Sequence, residues 1–389
     1  MTGISRTDVI TGIIAAAGGS GRDLSEAVRR LGPAEVADLC AEELVFRCGY
    51  NGRVHPPVAV DVELAHGDLT KQYRVVIAPS TAAKLDPDTD APVVLRAEFE
   101  LEELARQLFG VAQAGGTASC RLETRIAGGT DQDWALSAAA TVAADRVVQA
   151  CSGVRPDLGE LALSQDSDKW GGLHWFTQHY DRHFRSLRND AVRVLEIGVG
   201  GYGYEEMGGG GSLRMWKRYF HRGLIYGMDI YDKSRFDQSR ITTVIGDQSD
   251  PELLRELSAE HGPFDIIIDD GSHVNEHIIT SFNTLFPLLR PGGFYVIEDL
   301  WTTYQPVFGG QDTAVAGPET SLGLLKSLAD ALHYQERSDS RHEKPGPIEG
   351  RLTGLHLYHN IAFLEKGRNA EGGVPEWIPR AYGEMVTAE

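Results

Sequence analysis

Apolar positions recur at helical spacing through the first fifty residues and then change period. TDVITGIIAAAGG (7–19) carries an apolar helical stripe and stops at a glycine pair. SEAVRRLG (25–32) repeats the pattern, with Ser25 as the expected N-cap and Gly32 as the stop, and AEVADLCAEELVFRCG (34–49) continues it. From 58 the period drops to two. VAVDVELAHGDLTKQYRVVIA alternates on both sides of His66-Gly67-Asp68, which predicts a β-hairpin. A polar loop, TAAKLDPDTDAP, follows. PVVLRAEFELEELARQLFG then begins as a strand and continues as a helix to Gly110, and 131–153 reads as an alanine-rich helix opened by Thr130 or Asp131.

Beyond residue 190 the pattern changes again. Five short apolar runs end in acids or glycines: VRVLEIGVG (192–200), LIYGMDIY (224–231), ITTVIGD (241–247), FDIIIDDG (264–271) and GFYVIEDL (293–300). Near-continuous apolar strands of this kind suit a parallel sheet buried on both faces. Helical patterns separate them at 212–220, 250–262 and 274–289. The expected architecture is an N-terminal α+β auxiliary domain (1–155) followed by an α/β, Rossmann-like domain (156–389). In such a sheet ligands gather at the carboxyl ends of the strands.

Composition narrows the possibilities. With 42% hydrophobic and 24% charged residues, the 389-residue chain is ordinary for a globular protein. The net charge of −19, with no basic block, argues against nucleic acid as a partner. No apolar run reaches the roughly 20 residues of a membrane span, and the first residues read poorly as a signal peptide, so a cytoplasmic location is expected. The acids, spread along the chain, are expected on solvated surface. Cys40, Cys48, Cys120 and Cys151 lack metal-site spacing and read as free, mostly buried thiols.

The strand ends hold the candidate chemistry. Glu196-Ile-Gly198-Val-Gly200 is not the dinucleotide GxGxxG; an acid directly before GxG is the pattern of S-adenosylmethionine (SAM) methyltransferases. Asp229 ends the second strand, where an acid can accept from both ribose hydroxyls. Asp247 and Gln248 follow the third, where the adenine amine is expected, and Asp269 and Asp270 end the fourth. An insertion from Tyr202 to Ser212, with four consecutive glycines, reads as a lid or wall over the cofactor. Asp270, Glu298 and Asp299 lie on adjacent strand ends about 5 Å apart. Carboxylates packed that closely stay ionised cheaply only around a cation, and oxygen ligands suit Mg²⁺. His273 in DDGSH is placed to accept a proton from a substrate hydroxyl. Trp301 and Tyr304 are placed to contact the acceptor. The histidines at 174, 179 and 183 lack the glutamate of HExxH; rather than bind metal, their helix is expected to lie against the cofactor domain with one face touching substrate.

These motifs together resemble the macrolide-sugar O-methyltransferases of the macrocin and mycinamicin VI type, and the rhamnose O-methyltransferases of antibiotic biosynthesis. The segments that carry the resemblance include SDKWGGLHWFTQHYDRHF, VRVLEIGVGGY, GPFDIIIDDGSH, LFPLLRPGGFYVIEDLWT and GLHLYHNIAFLEKGRNAEGG. The resemblance implies dependence on SAM and Mg²⁺, metal ligation by Asp270, Glu298 and Asp299, and His273 as base. It also implies methylation of a rhamnose- or deoxyallose-type sugar on a glycosylated polyketide, and a homotetramer in which the auxiliary domain helps build the substrate site. The segment YGYEEM departs from the family pattern. A catechol-type O-methyltransferase is the alternative; such enzymes are shorter and rely on a lysine base.

Overall fold

The structure, a computed structural model, describes residues 4–49, 52, 55–111, 120–126, 131–152, 156–203, 208–337, 345–375 and 377–378. The middle of the predicted lid, 204–207, falls outside the described residues, as does Thr130, one of the two expected starts of the alanine-rich helix. By internal contacts the chain divides into two compact units. The first comprises Met1–Ala191, Arg214–Leu224 and Gln238–Ile241; the second comprises Val192–Leu213, Ile225–Asp237 and Thr242–Glu389.

The first unit opens with three helices: α1 (Arg6–Ala17), α2 (Gly21–Leu31) and α3 (Pro33–Cys48). The N-cap of α2 is Ser20, not Ser25. Ser20 and Asp23 form a reciprocal capping box, which satisfies two otherwise orphaned donors, and Ser25 sits inside the helix with its hydroxyl donating to Glu102 at 2.5 Å. The predicted hairpin is β1 (Val58–His66) and β2 (Leu69–Ile77), paired from Val58↔Ile77 to His66↔Leu69. The polar loop contains a two-residue strand, β3 (Lys84–Leu85). Next come β4 (Val93–Glu100), α4 (Leu101–Phe109), β5 (Cys120–Thr124) and α5 (Asp131–Cys151). The five strands are ordered β3-β2-β1-β4-β5, with β1 and β4 parallel. Their apolar residues join those of the helices in one core that includes Ile13, Leu44, Val60, Phe99, Leu108 and Val147. Two further helices, α6 (Leu158–Ser164) and α7 (Thr177–Phe184), complete the segment before the second sheet.

A buried ionic cluster runs through this first unit. Glu43, on α3, is fully buried, as is Arg240. Arg240 donates from Nη2 to Glu43 Oε1 at 2.7 Å and from Nε to Oε2 at 3.2 Å, and its remaining donors reach the carbonyls of Lys217, Phe220 and Gly223. Arg47 Nε donates to Glu43 Oε1 at 2.8 Å, and Lys217 Nζ lies 3.8 Å from Oε2. Burial pushes the Glu43 carboxyl up, but the cations of Arg240, Arg47 and Lys217 outweigh it and hold the group well below the usual range. Burial lowers Lys217 to about 7, with Glu43 opposing. Lys217, the farthest of the three at 3.8 Å, is the surplus cation. The three cysteines at 40, 48 and 151 are buried, free and raised by desolvation.

The second unit is built on β6 (Arg193–Ile197), β7 (Leu224–Asp229), β8 (Ile241–Ile245), β9 (Ile266–Asp269), β10 (Phe294–Glu298), β11 (Leu352–Tyr358) and β12 (Ile361–Lys366). Its helices are α9 (Pro251–His261), α10 (Asn275–Leu285) and α11 (Ser321–Leu332), while α8 (Gly211–Tyr219) starts in this unit and from Arg214 on belongs to the first. Strand order is β11-β12-β10-β9-β6-β7-β8. β9 runs parallel to both β6 and β10, while β12 is antiparallel to β10. The five predicted strands are present; the antiparallel pair β11–β12 was not among them. The chain builds outward from β6 to β8 and then crosses back to β9, so the order reverses between β6 and β9. That switch point opens a crevice at the carboxyl ends of these strands. Among the described residues, no helix is long and apolar enough to cross a membrane.

Candidate active site

The crevice is shaped first by its glycines. Gly198 has φ +92°, and a Cβ there would stand 2.1 Å from the carbonyl oxygen of Asp270, so the β6 and β9 ends approach too closely for any side chain. Gly200 and Gly201 are also left-handed, and Tyr202 follows at φ 44°, exposed. Lys233, nearly buried, donates from Nζ to the carbonyl of Gly200 at 2.6 Å and also to that of Tyr202. Arg235 holds the carbonyl of Gly208 at 2.7 Å, on the far side of the insertion. Ser212, at the start of α8, donates to Glu196 Oε2 at 2.7 Å.

Asp229, at the end of β7, faces the same turn. Its two oxygens accept from the backbone N–H groups of Val199 and Tyr231, each at 3.0 Å, and Lys233 Nζ lies 3.9 Å away. These bonds fix the carboxylate and leave lone pairs for further donors. Asp247 is exposed; the backbone and hydroxyl of Ser249 hold its carboxyl below the ordinary value.

Gln248 and Asp269 sit deeper. Gln248 Nε2 donates to Asp269 Oδ1 at 2.9 Å, and its Oε1 accepts from the Ser272 N–H at 2.7 Å. Asp269 also accepts from Ser281 at 2.5 Å and Tyr295 at 3.1 Å. Burial raises its carboxyl, with those three donors opposing. The two side chains thus form a polar brace behind the loop that bears Asp270 and His273.

The acids converge around Asp270. Ligand-capable atoms of Glu196, Asp270 and Glu298 lie within 4.8 Å of one another, as do those of Asp270, His273 and Asp299. The predicted trio of Asp270, Glu298 and Asp299 therefore falls into two overlapping groups that share Asp270. Neighbouring residues at a strand end project to opposite sides. Asp299 also leaves the strand in the left-handed region (φ 55°, ψ 45°). Glu196, read from the sequence as a cofactor residue, stands in the carboxylate cluster as well. Glu196, Glu298 and Asp299 are all buried.

His273 has φ 58°, a strained setting for a side chain of this size, and its Nε2 lies 3.6 Å from Asp299 Oδ2. His277 is hydrogen-bonded to Ser272 Oγ at 3.0 Å. His174 is buried and stacked on Phe176. Trp301 and Tyr304 are partly exposed, and Phe308 stands between Trp301 and His273, with ring centroids 5.5 and 6.4 Å away. Buried Asn275 ties this wall together. It donates to the carbonyls of Thr302 and Phe308 and accepts from the N–H of Ser321.

A carboxylate cluster with a histidine is a set of hard, mostly oxygen donors, the chemistry that suits Mg²⁺. The strand order, the acid-GxG turn and the acid ending β7 define a SAM-dependent methyltransferase fold. The N-terminal region matches the family described as MycE methyltransferase N-terminal over residues 10–120. The demethylmacrocin O-methyltransferase of Streptomyces fradiae is 50% identical over 383 residues, covering 97% of this chain and 95% of that protein. The mycinamicin VI 2''-O-methyltransferase of Micromonospora griseorubida is 46% identical, with 97% and 95% covered. The solved structure of MycE methyltransferase from the mycinamycin biosynthetic pathway in complex with Mg, SAH and mycinamycin VI is 44% identical, with 98% of each chain covered and a TM-score of 0.88. The chain belongs to the SAM-dependent sugar O-methyltransferases of macrolide and polyketide antibiotic biosynthesis.

Proposed function

We propose that this chain transfers the methyl group of SAM to a hydroxyl of a rhamnose- or deoxyallose-type sugar on a glycosylated polyketide, with Mg²⁺ as the metal. The observation that carries the reading is the placement of Asp270 in two ligand groups at the carboxyl ends of β6, β9 and β10. Asp270, Glu298 and Asp299 would hold the ion. Held there, Mg²⁺ supplies Lewis acidity that makes an acceptor hydroxyl easier to deprotonate. His273 takes the proton, and Asp299, 3.6 Å from its Nε2, favours the charged imidazole that results. Asp229 binds the ribose of SAM. Glu196, Gly198, Gly200, Tyr202 and Ser212 line its methionine end, and Asp247 stands near the adenine. Gln248 and Asp269 support that wall from behind. Trp301 and Tyr304 contact the sugar or aglycone.

Residues 1–155 serve as the auxiliary domain and 156–389 as the SAM- and metal-binding domain of a cytoplasmic homotetramer. Support comes from the family's N-terminal match and from coverage of the relatives along nearly their whole length. The test is methyl transfer from SAM to a desmethyl macrolide glycoside after EDTA treatment. Turnover should vanish and return with Mg²⁺; full turnover in stripped enzyme would overturn the metal role.

A further inference from the structure

The geometry points to Asn360 as the positioning residue that aims Asp299 at the metal and at His273. The inference rests on the metal reading above and adds a residue to it. Asn360 lies in the two-residue turn between β11 and β12. Antiparallel pairing sets Ile361 opposite Glu298, so the register carries Asn360 alongside Asp299. Its side chain uses both ends there. Nδ2 donates to Asp299 Oδ1 at 2.9 Å, and Oδ1 accepts from the Trp301 N–H at 2.8 Å. Its backbone carbonyl accepts from Leu300 N–H at 3.3 Å. Three consecutive residues, Asp299 to Trp301, are thereby tied to one asparagine.

Two left-handed backbones meet at this clamp: Asn360 at φ 69° and Asp299 at φ 55°. Asparagine tolerates that region better than most residues, which explains why it can hold the turn. The stronger constraint is chemical. Thr302 holds the Asp299 carbonyl through its N–H and hydroxyl, while at the carboxylate the Nδ2 bond occupies Oδ1 and Oδ2 faces His273. A donor at one carboxylate oxygen selects the orientation of the other, which is how partners behind a metal ligand tune its site. An aspartate at 360 would bring a second negative charge instead of a donor; a glycine would keep the turn and remove the clamp.

The test measures Mn²⁺ binding by electron paramagnetic resonance on the full chain without substrate, with SAH affinity by calorimetry in parallel. Asn360→Gly should weaken Mn²⁺ binding about 10- to 100-fold, the usual cost of losing such a partner. SAH affinity should stay within about twofold of wild type, a shift too small to signal a lost hydrogen bond. His359→Gly loosens the same turn at an exposed position and should leave both affinities unchanged. Wild-type Mn²⁺ affinity in Asn360→Gly would overturn the inference. So would equal weakening in His359→Gly, or loss of SAH binding alongside, since either makes the residue a turn former only. Failure of the wild type to bind Mn²⁺ would instead defeat the metal reading itself.

Discussion

Two charge clusters among the described residues are built on opposite rules. Around Glu43, one carboxylate meets Arg47, Arg240 and Lys217, so the cations outnumber the acid. Around Asp270, four carboxylates and one histidine are assembled, with the acids outnumbering the cation. The first arrangement is rich in cations. The second is rich in acids, and burial makes an imbalance of either sign costly. Carboxylates gathered this densely are the arrangement that a bound cation would stabilise.

Substitutions can break this contrast from either side. The largest effect is expected at His273. His273→Asn keeps a residue that tolerates φ 58° while removing the base, and should lower kcat about 10²–10⁴-fold. SAH affinity and melting temperature should hold; near-wild-type kcat would exclude His273 as the base. Next is Glu43→Gln, which strands three cations in the interior. Urea unfolding should show a loss of about 3–5 kcal/mol, the cost of breaking a buried pair from one side; a loss below 1 kcal/mol would mean that the cluster is hydrated. The smallest effect is expected at the surplus cation. Lys217 is lowered to about 7, so between that value and the ordinary lysine range the unfolded chain binds the proton and the folded chain does not. Stability contributed by this group therefore rises with pH across that window. Lys217→Met should flatten the rise, seen as urea midpoints that no longer separate between pH 7 and 9.5. A midpoint shift equal to wild type would assign the slope to other groups.

The two clusters also differ in how far the sequence reveals them. The acids of the second unit stand at the ends of apolar runs, so strand periodicity alone places Asp270, Glu298 and Asp299 near one another. Glu43 sits in AEVADLCAEELVFRC, where an acid reads as the solvated face of a helix, and its partner Arg240 is 197 residues away. No local pattern links them. The same limit hid Asn360. In LHLYHNIAFLEK the run IAFL is continuously apolar rather than alternating, and the turn before it lacks the Asn-Gly or Asp-Gly pair that usually marks a hairpin. The brace of Gln248 and Asp269 shows a subtler limit. Both residues were placed at strand ends, but which way a polar side chain turns depends on Ser272, Ser281 and Tyr295, contributed by other elements. The N-cap of α2 was within reach, because Ser20-x-x-Asp23 carries the spacing of a capping box.

The clamp on Asp299 has a consequence for the order in which the protein is made. Asp270, His273 and Glu298 have all been synthesised when Asp299 emerges, but Asn360 lies 61 residues further along. At roughly 5–20 residues per second, the interval is about 3–12 s. During it the growing chain carries the acids of the site without the hairpin that orients one of them. Competence therefore arrives late in synthesis, with the pairing of β12 against β10, and a ribosome stalled before Ile361 would leave a nascent chain in which Asp299 has yet to be aimed.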